Sequence, residues 1–152
     1  RSPDRPEVAQ AAVRAAVAAA REAAGDVPLI AGGKSFGGRM TSQAAAETPL
    51  PGVRGIAFLG FPLHPPQRPG TSRAAHLDRV TLPMLFLQGT RDDLADLALM
   101  RDVTARLGSR AALHVVEGGD HSFKLLNSAG RSNADVIDEV ARVIAEWGGG
   151  LQ

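Results

Sequence analysis

The sequence predicts an α/β fold, a three-layer α/β/α sandwich built around a parallel sheet. Two observations predict it. Four short apolar runs, each bounded by glycine, proline or acidic residues, lie at 27–33, 53–61, 82–89 and 111–119; continuous apolar runs of this length are the pattern of strands buried on both faces. Helical segments separate them, and strand–helix alternation is the signature of right-handed βαβ units. At 152 residues the chain suits a single domain spanning 1–152 with one core.

The elements follow in order. Residues 4–25, "DRPEVAQAAVRAAVAAAREAAG", are alanine-rich, with Asp4 and Glu7 at capping-box spacing and Gly25 as a stop, which predicts a helix. Its apolar face of Val8, Ala12, Ala15, Val17 and Ala19 is thin, so it is expected to lie close against something flat, such as a sheet. Helices are also expected at 39–47, at 74–78 as a short piece, and at 94–107, where Leu97, Met100, Val103 and Leu107 recur at helical spacing. A last helix opens at Ser132 with Asp135 in the capping-box position and ends in Gly148, Gly149 and Gly150. The loop "FPLHPPQRPGTS" at 61–72 is stiffened by four prolines.

Composition excludes several classes. Apolar residues make up 44% and charged residues 22%, and no run approaches the ~20 residues of a membrane span. The net charge of +1 and the scatter of basic residues give no electrostatic reason to expect nucleic acid or an anionic membrane as partner. Without cysteine, disulfides and thiolate metal sites are excluded, which fits a reducing, cytoplasmic setting. No metal or cofactor is expected. The chain begins with Arg1 rather than methionine, as expected of a processed product or a piece of a longer chain.

The stretch "PLIAGGKSFGGRM" at 28–40 admits two chemistries. Gly33-Lys34-Ser35 ends like a phosphate loop, but G-x-x-x-x-G-K-[ST] would require glycine at position 28, where Pro28 stands, and the intervening residues belong to an apolar strand. Gly33-Lys34-Ser35-Phe36-Gly37 instead fits the G-x-S-x-G elbow, a sharp strand-to-helix turn that presents a nucleophilic serine. Gly33 and Gly37 are expected to permit the strained turn, and Gly38 to let the helix approach the sheet.

A serine hydroxyl needs a base, and the base needs an orienting carboxylate. In this architecture they follow in the order serine, acid, histidine on loops after later strands. Asp92 falls three residues past Gly89 at the end of the third run, and His121 just past the end of the fourth. Asp93 and Asp96 are rival carboxylates, each also suited to a helix N-terminus. Of the other histidines, His114 lies within a strand and His76 in a short helix expected to be exposed. His64 lies in the proline-rich loop on the catalytic rim. A substrate pocket lined by Lys34, Phe61 and His64 is expected.

Taken together, "GGKSFGGRM", "LGFPLHPP", "PMLFLQGTRDDLAD" and "VVEGGDHSF" resemble the α/β-hydrolase superfamily over nearly the whole chain. The resemblance is to its small dienelactone-hydrolase-like branch, which includes an α/β-hydrolase-like domain of a chromatin-associated acetyltransferase complex subunit. It implies Ser35 as nucleophile, His121 as general base, Asp92 as its orienting acid and the Phe36 N–H as one oxyanion donor. That fold has about four strands before its elbow, and a second oxyanion N–H comes from a loop after an early strand. Here one helix and no strand precede the strand that leads into the elbow. The chain therefore resembles the C-terminal part of an α/β-hydrolase fold lacking its N-terminal strands, with a first strand exposed for self-association. The expected activity is hydrolysis of a small-molecule ester, thioester or lactone. The alternatives are a non-catalytic fragment or interaction module and, disfavoured by Pro28, a nucleotide binder.

Overall fold

The computed structural model describes residues 3–151. Helix α1 (Pro6–Ala24) is followed by β1 (Leu29–Lys34), α2 (Phe36–Glu47), β2 (Val53–Leu59), a 3-10 helix (Ser72–Arg79), β3 (Met84–Gly89), α3 (Leu97–Leu107), β4 (Ala111–Val116) and α4 (Asn133–Gly149). The four strands form one parallel sheet in the order β1-β2-β3-β4. Every expected strand and helix is present, and the boundaries move by a few residues.

One boundary shift is informative. Helix α2 starts at Phe36 rather than Arg39, so Gly37 and Gly38 lie inside it. Glycine is a poor helix former, but tight seating on the sheet outweighs propensity here, as the elbow geometry below shows. The expected capping box at the start of α1 does not form. Arg5 is the N-cap, no side chain caps the end, and Pro6 occupies the first helical position, where its missing N–H costs nothing. At α4 the capping box does form: Asp135 N donates to Ser132 Oγ at 3.1 Å, and Ser132 N to the Asp135 carboxylate at 2.7 Å.

One face of the sheet carries α1, α2, the 3-10 helix and α3. Its core contains Ile56, Phe58, Met84 and Phe86 of the strands, with Leu77, Met100, Val103 and Leu107. Phe58 stacks on Phe86 with ring centroids 4.6 Å apart, a geometry worth more than its buried area alone. The other face carries α4 by itself, with Val136 and Val140 against Ala57, Leu85, Leu87 and Val116. Helix α1 leans on α2 as well as the sheet: Val17 joins Ala44, Leu50 and Val53, and the Arg14 guanidinium donates to the Ala44 carbonyl at 2.7 Å. Strand β3 is buried at every residue, whereas β1 alternates half-buried and exposed. Strand β1 is thus an outer strand, and it leads into Ser35.

Candidate active site

Ser35 occupies the turn between β1 and α2 with φ 52° and ψ −122°. A positive φ at a non-glycine residue is strained and persists only where its surroundings impose it. Two contacts impose it here. Ser35 N donates to the Leu59 carbonyl at 3.1 Å, tying the turn to the end of β2. Gly33 and Gly38 press together across the turn: a Cβ on Gly38 would lie 2.6 Å from the Gly33 carbonyl oxygen, and one on Gly33 would lie 2.9 Å from Gly38 N. Gly37 behaves otherwise than the motif suggests. A Cβ there would meet nothing within 4 Å, so close packing requires glycine at 33 and 38 rather than at 33 and 37. Because β1 runs unbroken through Gly32 and Gly33 to Lys34, no phosphate loop forms.

His121 reaches Ser35 from the loop after β4. Its Nε2 lies 2.8 Å from Ser35 Oγ, and its Nδ1 lies 2.8 Å from Asp92 Oδ2. An ionised carboxylate only accepts, so Nδ1 carries the proton and Nε2 is free to accept from the serine hydroxyl. The His121 side chain is 19% exposed while that of Asp92 is fully buried, so the hydrogen-bonded chain opens to solvent at its serine end. The loop is held by Asp120, whose Oδ1 accepts from Ser122 N at 2.7 Å and Lys124 N at 2.9 Å. Desolvation pushes the Asp120 carboxyl upward, but these two N–H groups, with the charges of Arg91 and Lys124, hold it below its usual range. Close seating on β3 completes the placement, since a Cβ on Gly89 would lie 2.1 Å from the Gly119 carbonyl oxygen.

Asp92 is fixed through both oxygens. Oδ1 accepts from Leu94 N at 2.9 Å, and Oδ2 accepts from His121 and from the Gln88 side-chain amide. The rivals are elsewhere: Asp93 is exposed, and Asp96 caps α3 by accepting from Leu99 N at 3.0 Å. Gln88 is the site residue that sequence reasoning missed. It is fully buried, and its Oε1 accepts from Phe61 N at 3.1 Å, which obliges its NH₂ to face Asp92. The available signal was a polar residue inside the otherwise apolar run "MLFLQG", which burial makes costly unless it is paired.

The expected pocket residues separate. Lys34 is exposed beside the site, its Nζ 2.7 Å from Ser122 Oγ. Phe61 and His64 do not form a pocket wall. Phe61 is 1% exposed, edge-on to Phe58 and Phe86 in the core. His64 is buried with both nitrogens committed: Nδ1 to the Pro65 carbonyl at 2.8 Å, and Nε2 accepting from Asp96 N at 2.8 Å. It pins the proline-rich loop to the start of α3. His76, expected to be exposed, is buried against α2 with Nε2 2.7 Å from Ser42 Oγ. His114 pairs with Glu139 of α4 at 2.6 Å. Among the described residues no group of three or more His, Asp or Glu side chains is placed to hold a metal, and no helix is long and apolar enough to cross a membrane.

A parallel sheet, a strained serine between strand and helix, and a histidine and carboxylate on the following strand ends define the α/β-hydrolase class of fold. A family profile described as an alpha/beta hydrolase domain matches residues 1–149, and the chain belongs to that family. Solved structures are similar in fold. An α/β serine hydrolase homologue from Coxiella burnetii superposes with TM-score 0.71 at 17% identity, over 95% of this chain and 62% of the other. A lidless α/β serine hydrolase from Xanthomonas campestris gives 0.67 at 21% identity, over 97% and 60%. The esterase domain of a Rhodothermus marinus protein gives 0.60 at 16% identity, over 93% and 68%. The chain thus spans about three-fifths of the length of the first two.

Proposed function

We propose that the protein is a serine hydrolase that cleaves a small-molecule ester, thioester or lactone through an acyl-enzyme. The observation that carries this reading is the continuous hydrogen-bonded chain from Ser35 Oγ through His121 to a fully buried Asp92. In the first step Ser35 Oγ attacks the substrate carbonyl while His121 Nε2 takes its proton. Asp92 stabilises the imidazolium so formed. The Phe36 N–H, first amide of α2, faces the developing oxyanion at the positive end of the helix. His121 then returns the proton to the leaving alcohol, and water, deprotonated by the same nitrogen, releases the acid and regenerates Ser35.

Within the family, the dienelactone-hydrolase-like resemblance favours a lactone or activated ester, and the lack of cysteine favours a cytoplasmic setting. A non-catalytic interaction module is the second reading, favoured by the outer position of β1. The second oxyanion amide of such enzymes comes from a loop after an earlier strand, and none precedes β1 among the described residues.

The test is covalent labelling with a fluorophosphonate, which reacts with a base-activated serine and not with an ordinary hydroxyl. Labelling is expected at Ser35 and absent in Ser35→Ala. A label on Ser42 or Ser122, or none on a folded chain, overturns the assignment.

A further inference from the structure

The nucleophile and the base are carried by the two outer strands of the sheet. Ser35 follows β1 and His121 lies on the loop after β4, with β2 and β3 between them. At ordinary strand spacing that gap is roughly 14 Å, so the loop has to cross the ends of β3 and β2 to reach the serine. Glycines clear its path. A Cβ on Gly89, at the end of β3, would lie 2.1 Å from the Gly119 carbonyl oxygen, and one on Gly60, just past β2, would lie 3.1 Å from the His121 carbonyl oxygen.

The turn at the tip of the loop is shaped from within. Asp120 Oδ1 accepts from Ser122 N and Lys124 N, Asp120 N donates to the Lys124 carbonyl at 3.1 Å, and Phe123 holds a positive φ of 62°. These bonds fix the shape of the turn but not its distance from β1. Nor does Asp92 fix that distance, since it grips the His121 ring from the β3 side. Among the described residues, two hydrogen bonds join the turn to the segment carrying the nucleophile, and they are neighbours in sequence at both ends. Ser35 Oγ lies 2.8 Å from His121 Nε2, and Lys34 Nζ donates to Ser122 Oγ at 2.7 Å. Side chains alternate along a strand, so Lys34 shares the face of Ile30, against Gly148 of α4, and reaches the loop that leads into that helix. Among the described residues no carboxylate pairs with the Lys34 ammonium.

We propose that Lys34 is a positioning residue: by holding Ser122 it sets the distance of the His121 imidazole from Ser35, on a strand whose far edge pairs with no other among the described residues. The proposal rests on the hydrolase reading for the reaction served. Lys34 and Ser122 are exposed, and substitutions at the surface change stability little. Their bond nevertheless spans the separation on which proton transfer depends, where a 1 Å misplacement costs on the order of 10²-fold. Reactivity and stability should therefore part company in the variants.

Two readouts test this, one of which needs no reaction. The nitrogen chemical shift of His121 Nε2, measured where the ring is neutral, reports the hydrogen bond it accepts from Ser35, and Ser35→Ala gives the value without that bond. Lys34→Met and Ser122→Ala are each expected to move the shift toward the Ser35→Ala value. Fluorophosphonate labelling of Ser35 is expected to slow by about tenfold in each, a fraction of the ~10² that a full 1 Å displacement costs. The double variant should be no slower than the single ones, because the two side chains make one bond. Lys34→Arg, which keeps a donor, should restore part of the rate, and melting temperatures should stay at the wild-type value throughout. Slowing in Lys34→Met but not in Ser122→Ala would mean that the charge acts directly on the reagent, and slowing matched by a fall in melting temperature would mean a merely structural tie. Either overturns the proposal, as does a Nε2 shift that neither substitution moves. If Lys34→Met does not fold, Ser122→Ala, which removes only an exposed hydroxyl, carries both readouts. A moved Nε2 shift in a chain that fluorophosphonate does not label sinks the hydrolase reading alone, whereas labelling at one rate in all variants sinks the positioning role alone.

Discussion

Gln88 shows how one buried polar side chain can set the geometry of a site by holding the acid rather than the serine or the histidine. Its amide spans from the Phe61 backbone N–H to the Asp92 carboxylate, so the orientation of Asp92 is anchored to the β2–β3 core. Gln88→Leu leaves the buried Phe61 N–H unpaired, which costs about 1–3 kcal/mol, and removes one of the two donors to Asp92 Oδ2. The expected result is a lower unfolding midpoint together with slower fluorophosphonate labelling at Ser35. A variant equally destabilised elsewhere should not slow the labelling. If Gln88→Leu changed stability alone, Gln88 would be structural and not a positioning residue.

At the scale of elements, the close approach of α2 to the sheet can be tested by glycine. Gly38→Ala places a Cβ 2.6 Å from the Gly33 carbonyl, and such overpacking costs about 1–3 kcal/mol. Gly37→Ala enters open space within the helix and should instead stabilise by up to about 1 kcal/mol. Chemical denaturation of the pair decides the matter, and equal effects would contradict the tight turn. The same helix meets the 3-10 helix through Ser42 and His76. Burial, with the charges of Arg39 and Arg79, lowers the His76 pKa from 6.5 to about 4. Because the folded state resists protonating this ring, its contribution to stability is complete above pH 6.5 and is lost as the pH falls toward about 4. Urea midpoints across that window should decline, and His76→Gln should flatten the decline; an unchanged slope would mean that His76 is not the group responsible.

The sequence made the alternation of strands and helices and the elbow legible because burial on both faces of a parallel sheet leaves continuous apolar runs. The serine, acid and histidine were legible because each follows such a run. What escaped was set by tertiary contact. Gly37 stands in open space, His76 is buried by a packing partner 34 residues away, and Phe61 and His64 face inward because the proline-rich loop folds back over the core. None of these leaves a local periodicity. Gln88 lies between the two cases: its polarity within an apolar strand was visible, but its partner was not.

For the whole molecule, the decisive feature is the outer position of β1. One edge of this strand pairs with β2 from Leu29 to Lys34, and among the described residues no strand pairs with the other. Ile30 is 41% exposed on it, and Ile137 of α4, on the same side of the sheet, is 68% exposed. Ile137 also lines an apolar groove of about 450 Å³ between α4 and the loop that carries His121. An unpaired strand with apolar flanks is a template for another strand, and the 152-residue chain carries on it only one charge, Lys34. We therefore expect the chain to self-associate through β1. Sedimentation over a range of concentrations should show dimers or larger species, and Ile30→Lys, which adds a second charge to the edge, should shift them toward monomer. The ester-hydrolysis rate should remain low in either state, because losing one oxyanion donor costs about 10²–10³ in turnover and self-pairing supplies no loop in its place. A chain that stays monomeric at every concentration and hydrolyses p-nitrophenyl acetate efficiently would refute both expectations. The second oxyanion N–H would then have to come from an element already present.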